Sequence, residues 1–168
     1  VTTEDRHRLH ELMHLLIEHR DQLDYPLHDV RGTKDALTFH LDHSEAVSML
    51  EHGQRLMFDC SGCVTCVYKW TKPLRDPNGL GYQHEGYTGT MLHHLPHYSD
   101  GKRARTGALV VFGPGTGVHV AMVLEPDEQH GDPVLFSHGA EHAAGPIRLS
   151  ALRRGLPGPV TFLSVAGL

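Results

Sequence analysis

The chain has 168 residues, the size of one domain that can bury its own core without disulfide or metal staples. Its 39% hydrophobic and 21% charged content excludes a largely disordered chain, and no apolar run approaches the roughly 18 residues of a spanning helix. A formal net charge of -5 with scattered Lys and Arg argues against a general nucleic-acid binder, so neither nucleic acid nor membrane insertion is expected.

In chain order, the first residues are Val1-Thr2-Thr3-Glu4-Asp5, polar and acidic where a secretory signal would place a basic and then an apolar stretch. The expectation is a protein made in the cytoplasm without a signal peptide, which something else must carry to any target outside. Leu9, Leu12, Met13, Leu16 and Leu23 then recur at the spacing of one buried helical stripe, capped by Thr2 or Thr3 and ended by Tyr25-Pro26. From Pro26 to His43 there is no clear period, and the reading is loop with a short strand near Leu37 to Leu41. Ser44 to Glu51 reads as a short helix with Ser44 as its cap, Val47, Met49 and Leu50 inward, and Gly53 just past its end.

Cys60 to Trp70 has helical character, stopped by Pro73, and Arg75 to Gly81 is rich in turn residues. Thr88 to Leu95 predicts another short helix before Pro96. Beyond it the texture changes: Ala108 to Phe112, Val118 to Leu124, Pro133 to Phe136 and Val160 to Val165 are short and rich in Val, Leu and Phe. Gly, Pro and Asp separate them, as in an antiparallel meander. Helices followed by strands predict a single α+β domain over 1–168, helical to about 106 and sheet from about 107. The 16 histidines are spread over all of it, which favours a solvated surface over metal storage.

The strongest chemical signal is Phe58-Asp59-Cys60-Ser61-Gly62, an apolar residue leading into a Cys that opens a helix. A helix amino terminus beside an imidazolium lowers a thiol pKa by several units, and N–H groups at the helix start, that of Cys60 among them, can hold an oxyanion. Cys60 is therefore the candidate nucleophile, with Asp59 and Ser61 as candidates for substrate contact or local support. The base must be distant in sequence: His119 opens the strand-forming run His119-Val120-Ala121-Met122-Val123, after the Gly-rich loop Gly113 to Gly117. His138, ending the next strand in Phe136-Ser137-His138-Gly139, is the candidate orienter of His119.

Asp59-Cys60-Ser61-Gly62, Gly107-Ala108-Leu109-Val110-Val111-Phe112, His119-Val120-Ala121-Met122-Val123 and His138 resemble, in order and spacing, the NlpC-type family of papain-like peptidoglycan peptidases. The resemblance runs from roughly Phe58 to Leu152, and Ser137-His138-Gly139 followed by Gly145-Pro146 looks most like phage endolysin peptidase domains. It implies a papain-like fold and hydrolysis of a stem-peptide bond next to D-glutamate by a Cys-His-His set, with no cofactor and no metal. The partner it implies is the bacterial peptidoglycan stem peptide, together with a second lysin subunit or a wall-binding domain. Two departures stand out. Ala108 replaces the family's usual Asp, and the Tyr that often precedes the Cys block has its nearest counterpart in Tyr25, the candidate for the substrate cleft.

Rival readings use the same residues. Cys60, Cys63 and Cys66 have the spacing of part of an iron-sulfur or zinc site, but no fourth Cys follows, and core packing is the better account of Cys63 and Cys66. An amidase, an acyltransferase or an inert wall-binding module on the same fold are the functional alternatives. His142 and Glu141 are weaker site candidates.

Overall fold

Thr2 starts the first helix with a reciprocal cap: its hydroxyl accepts from the Asp5 N–H while the Asp5 carboxylate takes the Thr2 N–H. In the computed structural model, which describes residues 1–26, 38–71, 74–140, 142–156 and 158–165, that helix is α1, Thr3–Glu18. A 3-10 turn, Arg20–Gln22, leads to β1, Leu23–Asp24. The next described residues, 38–40, are helical and not a strand, and Leu37 lies outside the described residues. Lys69 and Trp70 hold this segment by donating to the backbone carbonyls of Phe39 and Leu41, which leaves no ladder for a strand. Helix α2, His43–Glu51, is capped by Asp42 and not by Ser44, because a carboxylate with Glu45 three residues on completes a reciprocal box. Its buried residues are Ala46 and Leu50, whereas Val47 and Met49 stay half-buried.

Strand β2, Leu56–Met57, pairs in parallel with β1 and delivers the chain to α3, Cys60–Trp70. Every residue of α3 but Lys69 is buried. Val64, Val67 and Tyr68 each contribute about 1.5–3 kcal/mol by burial, so packing outweighs the modest helix propensity of this β-branched stretch. Tyr68 also donates its hydroxyl to the Gly107 carbonyl at 2.6 Å, tying α3 to the sheet. Pro73, expected to stop the helix, lies outside the described residues.

Helix α4, Thr88–His94, is followed by β3, His97–Tyr98, then by β4, Leu109–Phe112, β5, His119–Glu125, β6, Val134–Gly139, and β7, His142–Arg148. Helix α5, Leu149–Gly155, returns the chain to β8, Val160–Leu163. The protein is α+β. Its six strands β3-β8-β4-β5-β6-β7 form one antiparallel sheet. The meander holds from β4 to β7, and then β8 crosses back to pair with β4. The division near residue 107 is softer than expected, because β3 joins the sheet from the helical part and α5 lies within the sheet part.

The sheet separates two apolar clusters, and period-two alternation assigns each strand residue to one of them. Val120, Met122, Leu124 and Phe136 face α1 and α3, while Ala121, Val123, Leu135 and Phe112 join Leu149 and Leu152 of α5 on the other side. Cys63 and Cys66 are core residues in the first cluster, as expected.

Candidate active site

Asp59 starts α3 from the N-cap position. Its Oδ1 accepts from the Gly62 N–H at 2.6 Å and from the Ser61 hydroxyl at 2.9 Å. Ser61 is buried. These bonds give both residues a capping role, the local support that was one of the two roles expected of them. Below them a polar network stiffens the adjoining loop. Asn78 donates to Asp76 and Thr65, and accepts from the Tyr87 N–H and the Thr90 hydroxyl. Gly86, at φ +89°, rests on Thr65, and a Cβ there would lie 2.2 Å from the threonine Oγ1.

The Cys60 sulfur is buried at the start of α3. Burial and then the neighbouring Asp59 carboxylate push the thiol up, while donation toward the sulfur from the Val120 N–H, the Tyr25 hydroxyl and the Ser61 N–H partly opposes them. Desolvation therefore outweighs the helix terminus, and the expected resting thiolate is corrected to a thiol. The Val120 N–H reaches the sulfur because the β5–β6 pairing closes at Met122 and Phe136. Cys60's own N–H donates toward the Tyr25 hydroxyl oxygen.

His119 begins β5 after a loop that turns on Gly117, where φ is +79° and a Cβ would meet Val111 at 2.5 Å. Its Nε2 lies 2.9 Å from the Ser137 hydroxyl, and that hydroxyl lies 3.4 Å from Nε2 of His142. Two arrangements of protons satisfy this row, running in opposite directions; in one of them, His119 Nε2–H donates to Ser137, and Ser137 O–H donates to His142. In that arrangement Nδ1 of His119 is the free lone pair, on a ring that lines the cavity beside Tyr25. Burial, with the charge of His142 and then His138, pulls the His119 pKa down to about 4.

His138 does not hold His119. Adjacent strand residues face opposite sides, so Ser137 meets His119 while His138 turns toward α3. There its Nε2 donates to the Phe58 carbonyl at 2.9 Å and to the Asp24 carbonyl at 3.3 Å. Burial pulls the His138 pKa down, and its buried Nδ1 has no partner among the described residues, so the ring stays neutral. His138 ties β6 to the segments entering α3, and the orienting role passes to Ser137.

Tyr25 joins the two halves of the site. Its ring packs on His138 at 5.3 Å, its hydroxyl acts on Cys60, and it lines a cavity of about 340 Å³ together with His119 and His142. The far wall of that cavity is apolar, formed by Val118, Ile147, Leu152 and Leu156. Glu141 lies outside the described residues. Ser137 was missed because Leu135 and Phe136 are both apolar, which hides the alternation that would have separated it from His138.

Comparison of the chain with protein families, with curated proteins and with solved structures gives no match.

Proposed function

We propose that the protein is a papain-like cysteine peptidase that hydrolyses a bond of the peptidoglycan stem peptide next to D-glutamate, as the catalytic part of a phage lysin. The observation carrying this reading is the placement of the Cys60 sulfur on the peptide that joins His119 to Val120, with His119 held from behind by Ser137. The sequence resemblance suggests the substrate class, and the geometry supports the roles.

With thiol and imidazole both neutral at rest, the proton moves as the substrate carbonyl arrives. Cys60 passes it to His119 Nδ1 while the sulfur attacks, and the Cys60 N–H, turning from the Tyr25 hydroxyl to the substrate, stabilises the oxyanion. Imidazolium formation is eased by Ser137, whose oxygen accepts the Nε2 proton. Collapse breaks the peptide bond, the amine leaves with the proton from His119, and water then hydrolyses the thioester by the same base.

Digestion of purified peptidoglycan, with mass analysis of the fragments, tests the proposal. New amino termini next to D-glutamate are expected from the wild-type chain and none from Cys60→Ala. A thiol alkylator should stop the reaction while a strong chelator leaves its rate unchanged. Intact peptidoglycan after exhaustive digestion, or chelator inhibition reversed by zinc, refutes it.

A further inference from the structure

A second cavity, of about 380 Å³, lies away from the cysteine. Three arginines from separate places in the chain line it: Arg6 from α1, Arg103 from the 3-10 turn Gly101–Arg103, and Arg105 just beyond, whose guanidinium also donates to the Lys102 and Ala104 carbonyls. Arg103 stands over the Tyr98 ring at 5.8 Å, and both Arg103 and Arg105 act on the Tyr98 hydroxyl against the effect of its burial. His97, whose Nε2 donates to the Leu92 carbonyl, and Ser164 also line it.

No carboxylate is among the residues lining this cavity. Arg105 reaches the exposed Glu128 at 3.3 Å, but Arg6 and Arg103 take no acidic partner among the described residues. Like charges brought together around one hollow repel, and an anion between them removes that cost. Ala108 also lines this cavity; an acid in its place would supply the missing counter-charge.

We infer that this cavity is a binding site for a small dianionic oxyanion of the phosphomonoester class. Guanidiniums offer paired N–H groups to phosphate oxygens, and three positive charges match a dianion better than the single charge of a diester. The site is separate from the cysteine chemistry. Ala108 precedes β4, whereas Phe112 at its other end pairs with His119, so the two cavities lie roughly 13 Å apart along one strand. A ligand here anchors the protein without touching Cys60.

Titration calorimetry on the full chain at fixed ionic strength tests this with three probes: inorganic phosphate, glycerol 3-phosphate and dimethyl phosphate. The first two should saturate one site, and the diester should bind at least tenfold more weakly. The double variant Arg6→Ala, Arg103→Ala should raise the Kd for phosphate at least tenfold, with the unfolding temperature and the rate of Cys60 alkylation unchanged. Arg105→Ala alone should weaken binding in the same sense. No saturable binding by the wild type, unchanged affinity in the arginine variants, or a diester bound as tightly as the monoester overturns the assignment. None of these readouts uses peptide hydrolysis, so the outcome stands apart from the fate of the proposed peptidase reaction.

Discussion

At Cys60, desolvation competes with hydrogen-bond donation, and desolvation wins in the closed, substrate-free site. An alkylation rate follows the thiolate fraction, so in the absence of substrate it should keep rising through pH 9. A preformed ion pair with His119 would instead give a plateau near neutrality, and observing that plateau would show that the resting pair is charged. The neighbouring histidines can be separated by a pair of measurements. Ser137→Ala removes the group that holds His119 Nε2 and should lower kcat on the order of 100-fold, the usual scale of an orientation error, with little change in stability. His138→Ala takes the donor from the Phe58 carbonyl, while the Asp24 carbonyl keeps the Phe58 N–H, and should cost about 1–3 kcal/mol in denaturant unfolding. A large kcat loss in His138→Ala with full stability, beside a normal Ser137→Ala, would return the orienting role to His138.

Helix α3 carries both the candidate nucleophile and the candidate oxyanion donor, and its first turn depends on one carboxylate. Asp59→Ala should destabilise the protein by about 1 kcal/mol and loosen the N–H groups around Cys60, whereas Asp59→Asn keeps an acceptor and most of the stability. Urea midpoints of the two variants make the comparison, and equal midpoints would deny the cap its role. The helix was legible in the sequence because Asp59 and Trp70 bracket an apolar run, and so were β4 and β5, whose Val-rich runs are bounded by Gly and Pro. Three kinds of element were not legible. Strands of two residues such as β1 and β3 carry no period, and β7 contains Gly145 and Pro146, which read as breakers yet lie in a strand at the sheet's edge, where a missing N–H is tolerated. The third kind is illustrated by residues 38–40, whose conformation comes from Lys69 and Trp70, some thirty residues away. The same limit applied to the site. Cys60 and His119 stand out by local context, but the choice between Ser137 and His138 depends on which face of β6 meets His119, and that follows from tertiary packing.

Across the whole molecule the sheet places its apolar clusters on both sides, and both buried site histidines depend on staying neutral. His119, faced by His142 and His138, has its pKa pulled from 6.5 to about 4 by burial and then by those neighbours, and His138 is lowered as well by burial. Between those two values the unfolded chain binds a proton that the folded chain refuses, so acidification favours unfolding. The stabilisation is fully present above pH 6.5 and is lost as the pH falls through 4; for His119 it is on the order of 3 kcal/mol. Urea unfolding at pH 7, 5.5 and 4.5 should therefore show a falling free energy. His119→Gln, which keeps a group able to bond Ser137 but cannot take up a proton in this range, should flatten much of the slope. A wild-type profile without slope between pH 7 and 4.5, or an undiminished slope in His119→Gln, would mean that His119 titrates normally in the folded protein. The barrier to charging it, on which a neutral resting pair with Cys60 depends, would then be absent.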